Sequence, residues 1–212
     1  MQGLIGKKLG MTRVFDENGA QVPVTAILCG PCVVLRRRTL ARDGYEAVQV
    51  GFEQRSERGL RKSELGLFKK AGAAPMRWSH EFAVDAAETL KEGDVVTVGM
   101  FEPGAFVDVS GLTKGKGFQG VVRRHNMGGG SMTHGGKSKR RIGAIGCREL
   151  PGHIHKGKRM PGHMGAVNVT QQNLKVVKVM PDDNLLLLRG SVPGCAGGMV
   201  LVKKAVKKAA KQ

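Results

Sequence analysis

Read for the alternation of apolar and polar positions, the chain falls into three stretches. In the first, roughly 1–113, short runs at strand period dominate. Leu4–Phe15 carries apolar residues around Gly6 and Gly10, and the cluster Asp16-Glu17-Asn18-Gly19 predicts a turn into a second strand over Val22–Leu28. Cys32–Leu35 and Tyr45–Phe52 add two β-branched or aromatic runs, the latter introduced by the Asp43-Gly44 turn signal. Leu60, Leu65, Leu67 and Phe68 are spaced irregularly among charges, which predicts a short helix near 62–70. A small-residue linker over 71–75 follows, then looser structure around Trp78 to Leu90. The strand signal returns at Val95–Phe101 and Phe106–Val109.

The last stretch is β again: Val167–Thr170, Leu174–Met180, Leu185–Arg189 and Met199–Val202, with the turn Asp182-Asp183-Asn184 predicting a hairpin between the second and third. Strands therefore flank the middle stretch on both sides. The expected fold is mainly β: a small β-barrel body with minor helical segments and a long, irregular basic loop inserted between strands. The body is discontinuous, 1–113 and 166–202 within a single domain of 1–202. The loop occupies 114–165, and a basic tail runs over 203–212. A loop of about fifty residues inside a compact domain argues against its own assignment unless it is functional.

The middle stretch has no apolar period, and its composition explains what it has instead. Residues 114–165 hold twelve Lys or Arg, one acid (Glu149), fourteen Gly and five of the six His. Such a segment cannot bury enough surface to offset the entropy of ordering it, so its order must come from something else. A polyanion fits: cations neutralise phosphates and release counterions, and glycines let backbone N–H groups approach phosphate oxygens. The formal charge of +18 is distributed to match, with +11 on 114–165, +5 on 203–212 and +2 on the other 150 residues. A near-neutral body with concentrated basic extensions is the pattern of a platform that projects arms into nucleic acid. A charge run that served solubility alone would be interspersed with acids.

Other classes fit less well. No apolar run approaches the ~18 residues a membrane span needs, and Lys7 and Lys8 interrupt the first apolar run, so neither a membrane partner nor a secretory signal is expected. Four irregularly spaced cysteines make no disulfide framework, and a reducing, cytoplasmic compartment is expected.

Gly115-Lys-Gly-Phe-Gln-Gly120 matches the dinucleotide pattern, yet no acid lies between Asp108 and Glu149 to hold a ribose. Gly130-Ser-Met-Thr-His-Gly-Gly-Lys-Ser138 approaches a phosphate loop, but its first glycine is one residue early and no apolar strand precedes it. Cys29-Gly-Pro-Cys32 has the spacing of a thiol–disulfide site, yet strand signals on both sides point to a Gly-Pro turn with small buried flanks. A zinc site joining this pair with Cys147, Cys195 or His153 and His155 lacks a second matching motif. Asn168-Val-Thr170 is a glycosylation sequon without an export signal. None of the loop histidines has a nearby carboxylate in sequence to orient it as a general base, whereas each can meet phosphate, 2′-hydroxyl or a base edge. No enzymatic activity, cofactor, metal or small-molecule substrate is expected.

Lys114-Gly-Lys-Gly-Phe-Gln-Gly-Val-Val-Arg-Arg-His125, His134-Gly135, Gly143-Ala-Ile-Gly146 and Lys156-Gly-Lys-Arg-Met-Pro-Gly-His-Met-Gly165 resemble the signature of the family of the third protein of the large ribosomal subunit, bacterial type. Gly3-Leu-Ile-Gly-Lys-Lys-Leu-Gly-Met-Thr12, Asp43-Gly-Tyr-Glu-Ala-Val-Gln-Val50 and Asn184-Leu-Leu-Leu-Leu-Arg-Gly-Ser-Val-Pro-Gly194 extend the resemblance over nearly the whole chain. The resemblance implies a non-enzymatic structural constituent of the large subunit. Such a protein binds 23S-type rRNA near its 3′ end, nucleates subunit assembly and threads its loop toward the peptidyl transferase centre. It also implies neighbouring large-subunit proteins, the fourteenth and nineteenth, as partners. Carried over by position, the rRNA-binding residues are Lys7, Lys8, Lys114, Lys116, Arg123, Arg124, His125, His134, Lys137, Lys139, Arg140, Arg141, Lys156, Lys158, Arg159 and His163. The chain departs from the family pattern at His125 and Met127, where an aromatic is common, at Lys139, Ile142, Pro161 and Leu112, and at Cys147, where some members carry a methylated glutamine.

Overall fold

The computed structural model describes residues 1–84 and 90–208. Strand β1 (Gly3–Phe15) turns through Asp16–Gly19, where the Gly19 N–H donates to the Asp16 carbonyl at 2.8 Å, into β2 (Gln21–Cys29). Then follow β3 (Cys32–Arg38), a four-residue helix α1 (Leu40–Asp43), β4 (Ala47–Gln54), α2 (Lys62–Lys70), β5 (Met76–Ala83), the two-residue β6 (Val95–Val96) and β7 (Phe106–Leu112). After β7 come β8 (Phe118–Gln119), α3 (Val121–His125), β9 (Gly162–His163), β10 (Asn168–Met180), β11 (Leu185–Arg189) and β12 (Met199–Lys204). The chain is mainly β with minor helices, as its patterning predicts.

Six strands pair antiparallel in the order β1-β12-β7-β10-β11-β2, and β2 pairs back to β1, so the ring of hydrogen bonds closes. Alternation decides what faces inward: Val107 and Val109 of β7, Leu186 and Leu188 of β11, and Val200 and Val202 of β12 are all buried. Each such side chain contributes about 1.5–3 kcal/mol of transfer free energy. Among the described residues two polar side chains are also buried, and both have partners. The Thr25 hydroxyl donates to the Gly190 carbonyl at 2.6 Å, and the Asp108 carboxylate accepts the backbone N–H groups of Asn173 at 2.8 Å and Val206 at 3.5 Å.

The second sheet has the order β5-β4-β3-β6 and shares the main core with the ring through Val34, Val48, Val50 and Phe82. Helix α2 covers it through Phe68, and Phe68 and the Ala71 that caps the helix pack with Leu35 and Met76. Here the structure corrects three expectations. Trp78 to Ala83 is not loose but forms most of β5, an edge strand whose outward side is polar. The expected strand Val95–Phe101 pairs only at Val95 and Val96 and continues as a 3₁₀ turn at Val98–Met100. Val167–Thr170 and Leu174–Met180 are largely one strand, bent by a bulge between Gln171 and Leu174 where Asn173 sits at φ 56°. Residues 85–89 of the expected loose segment and 209–212 of the basic tail lie outside the described residues.

By internal contacts the chain divides into two compact units, Met1–Leu112 with Asn168–Gln212, and Thr113–Val167.

Candidate nucleic-acid interface

The second unit begins and ends as a two-railed ribbon. The Thr113 N–H donates to the Val167 carbonyl at 2.9 Å, Lys116 N–H to Met164 at 2.9 Å, and Met164 N–H to Gly117 at 2.9 Å, before β8 and β9 pair Phe118 with His163 and Gln119 with Gly162. The rails approach so closely at one point that only glycine fits. Gly165 has φ +76°, and a Cβ there would lie 2.1 Å from the Lys114 carbonyl oxygen. This stretch was expected to be irregular. Instead, glycine and backbone hydrogen bonds give its base a regular form.

Beyond the ribbon, Gly120 opens α3, whose Val121 is buried. Helix α3 points its basic residues in two directions. Arg123 is exposed, with Nη1 3.4 Å from the Gln119 Oε1 it donates to. Arg124 and His125 are half-buried and turn to the opposite rail. Arg124 Nη1 donates to the Met160 carbonyl at 2.7 Å, and His125 Nε2, in the tautomer that carries its proton there, donates to the same oxygen at 3.0 Å. Farther out, the Gly130 N–H donates to Lys139 at 2.7 Å, Gly136 N–H to Thr133 at 3.1 Å and Arg141 N–H to Ser138 at 2.6 Å, so 130–141 is a chain of backbone turns with its side chains outward.

Lys114, Lys116, Lys137, Lys139, Arg140, Arg141, Lys156, Lys158 and Arg159 are exposed, as are His134 and His163. Among the described residues, no cation of this unit forms an ion pair. The ion pairs found lie in the other unit, Lys7–Glu53, Arg77–Glu53, Arg36–Asp43, Arg38–Asp43 and Arg38–Glu81. Lys7 and Lys8 differ from the loop cations. Lys7 Nζ lies 2.6 Å from Glu53, and Lys8 Nζ donates to the carbonyls of Val192 at 2.7 Å and Gly194 at 3.1 Å, so both already have protein partners.

The competing motifs take structural forms. Gly115–Gly120 belongs to the antiparallel ribbon rather than a parallel βα turn. Cys29 ends β2 and Cys32 opens β3. Both are buried, and burial raises both thiol pKa values, that of Cys32 to about 11, where the thiol and not the thiolate is present at neutral pH. Cys32 Sγ donates to the Ile5 carbonyl at 3.5 Å. The sequence shows the cations but not what arranges them: the Met160 carbonyl, Gly162 and Gly165 lie within the signature stretch Lys156–Gly165 yet carry no charge that marks their role.

The family model of ribosomal protein L3 matches residues 76–184. Over 208 residues the chain is 47% identical to a large ribosomal subunit protein uL3 of Brachyspira pilosicoli, covering 98% of this chain and 95% of the relative. It is 48% identical to one of Brachyspira hyodysenteriae over 208 residues, covering 98% and 96%, and 48% identical to one of Pelobacter propionicus over 206 residues, covering 97% and 99%. A cationic unit built on a ribbon, a second unit that is mainly β, and likeness of this extent along almost the entire length lead to one assignment: the chain belongs to the ribosomal protein L3 family.

Proposed function

We propose that this protein is a structural, non-enzymatic constituent of the large ribosomal subunit. Its closed ring of strands serves as the barrel body that docks on 23S-type rRNA near the 3′ end, and the arm of residues 114–165 reaches toward the peptidyl transferase centre. The reading includes an early role in subunit assembly and contact with neighbouring large-subunit proteins, the fourteenth and nineteenth among them. The observation that carries it is the contrast in charge pairing: carboxylates engage several cations of the body, while those of the arm, Arg124 apart, are exposed, and none has an ion-pair partner among the described residues. Unpaired like charges at this density repel one another, and RNA phosphates relieve that repulsion.

Lys114, Lys116, Arg123, Lys137, Lys139, Arg140, Arg141, Lys156, Lys158 and Arg159 are the phosphate contacts in this reading, and His134 and His163 lie near bases or sugars. Arg124 and His125 hold the arm's rails together, and Lys7 and Lys8 brace the body. A-form RNA hides its base edges in a deep groove, so recognition rests on backbone shape and 2′-hydroxyls.

Ten phosphate contacts imply affinity for a large-subunit rRNA fragment that falls on the order of ten-thousand- to hundred-thousandfold over a fourfold rise in salt. A nearly flat salt dependence overturns the reading. In a cell extract the protein should sediment with the large subunit through a moderate salt wash. A free RNA-binding module would circulate outside the particle, and a nucleotide-dependent enzyme would show saturable nucleotide binding lost on Lys137→Ala.

A further inference from the structure

The arm holds one aromatic residue besides its histidines, and it is placed where no folding argument would put it. Phe118 is 77% exposed, on a segment whose backbone is fixed by ribbon hydrogen bonds on either side. Its directly opposite partner across the antiparallel pair is His163, also exposed. Directly opposite residues project to the same face of a two-stranded ribbon, so the phenyl and imidazole side chains leave it on one surface. Among the described residues neither ring takes part in an aromatic or cation–π contact; those found involve His80 with Phe82, His153 with His155, and Arg77, Lys203 and Lys208 with rings of the other unit.

An exposed phenyl on a fixed backbone contributes nothing to the arm's own stability, and its surroundings specify what covers it. Lys114, Lys116 and Arg123 are exposed nearby in the chain, and the single acid of the whole arm, Glu149, is remote in sequence. A protein partner's apolar side chain would gain nothing from that charge. A nucleotide uses both features, its phosphate meeting the cations and its base covering the ring.

Resting on the RNA-binding reading above, we propose that Phe118 and His163 form a stacking platform for an unpaired nucleobase of the rRNA, with Lys114 and Lys116 receiving the phosphates of the same strand. The ribbon supplies the platform's backbone preformed, so little backbone freedom remains to be lost on binding.

The test uses full-length protein and a transcript of the 3′-terminal part of large-subunit rRNA. Phe118→Ala should weaken binding roughly ten- to hundredfold with an unchanged salt slope, since no phosphate contact is removed. Phe118→Leu should be nearly as weak as Phe118→Ala, and Phe118→Trp at least as tight as wild type. The Trp fluorescence of Phe118→Trp, after subtraction of the wild-type signal from Trp78, should be quenched by the RNA. Equal affinity of wild type and Phe118→Ala overturns the platform, as does wild-type affinity in Phe118→Leu, which would mean simple apolar contact, or unquenched fluorescence. Failure of the wild-type protein to bind the transcript removes the RNA-binding reading itself, and the platform with it.

Discussion

The guanidinium of Arg124 fills the space that a side chain at position 162 would need: a Cβ on Gly162 would lie 2.7 Å from Nη1 and 3.0 Å from Cζ of Arg124. The same Nη1 is committed to the Met160 carbonyl, so this end of the side chain is not free to swing aside. Gly162→Ala should therefore break the Arg124–Met160 hydrogen bond without removing any charge. Amide exchange at Lys116 and Met164, whose N–H groups bridge the rails, should quicken by about tenfold or more, the loss of roughly one hydrogen bond's worth of stability. Unchanged exchange at both amides would show that the rails do not depend on this contact.

Arg123 and Arg124 are adjacent, and their side chains do different work. Removing an exposed phosphate-contacting cation lowers the salt slope of RNA binding by about one and weakens binding at all sequences alike. Arg123→Ala should behave in that way and leave arm exchange rates as they were. Arg124→Ala should weaken RNA binding with a slope close to wild type, and should accelerate amide exchange along the ribbon. Identical slopes and identical exchange in the two variants would erase the distinction.

Acid should destabilise the body in a defined order. Glu53 is held below the usual carboxylate range by the Lys7 ammonium at 2.6 Å, with Arg77 and Trp78 adding to the effect, and Asp43 is held down by Arg38. His80 is pushed down by burial and by Lys203. A depressed folded-state pKa means stability that is present above the unfolded value and lost as pH falls through the folded one. The loss therefore begins below about 6.5 through His80, and the carboxylates add to it below about 4.5. Thermal unfolding across pH 2–8 would show this acid limb, and Glu53→Gln should make its lower part shallower. An acid limb of the same steepness in Glu53→Gln would refute the assignment.

Thiol reactivity should divide the four cysteines evenly. Cys147 and Cys195 are exposed, while Cys29 and Cys32 are buried with raised pKa values. A chromogenic disulfide reagent at neutral pH should titrate two thiols quickly and the other two on unfolding. Rapid reaction of all four in the native protein would contradict the burial of the Cys29–Cys32 turn.

What could be seen from the sequence depended on whether a residue's neighbours in space were also its neighbours in the chain. The turn at Asp182-Asp183-Asn184 and the runs on either side of it announce the β10–β11 hairpin, and Leu65, Leu67 and Phe68 announce α2, because these signals are local. β5 was hidden because Arg77, Ser79 and Glu81 give an edge strand the polar look of a loop. α3 was hidden because five residues beginning Val-Val carry no helical period, and its order comes from Val121 being buried. The cations of the arm were legible as a composition. Their division into exposed cations and an inward clasp was not, since a carbonyl at Met160 and the absence of a side chain at Gly162 leave no mark in residue chemistry.

One further property follows from the way β7 and β10 pair. Leu112 stands directly opposite Asn168, so the polypeptide leaves the ring and rejoins it at neighbouring rungs. Topologically the arm is an overgrown hairpin tip. Because the entropy of closing a flexible connection grows only with the logarithm of its length, residues can be gained or lost at the far end with little penalty to the ring. The reach of the arm and the integrity of its base are thereby separate evolutionary variables.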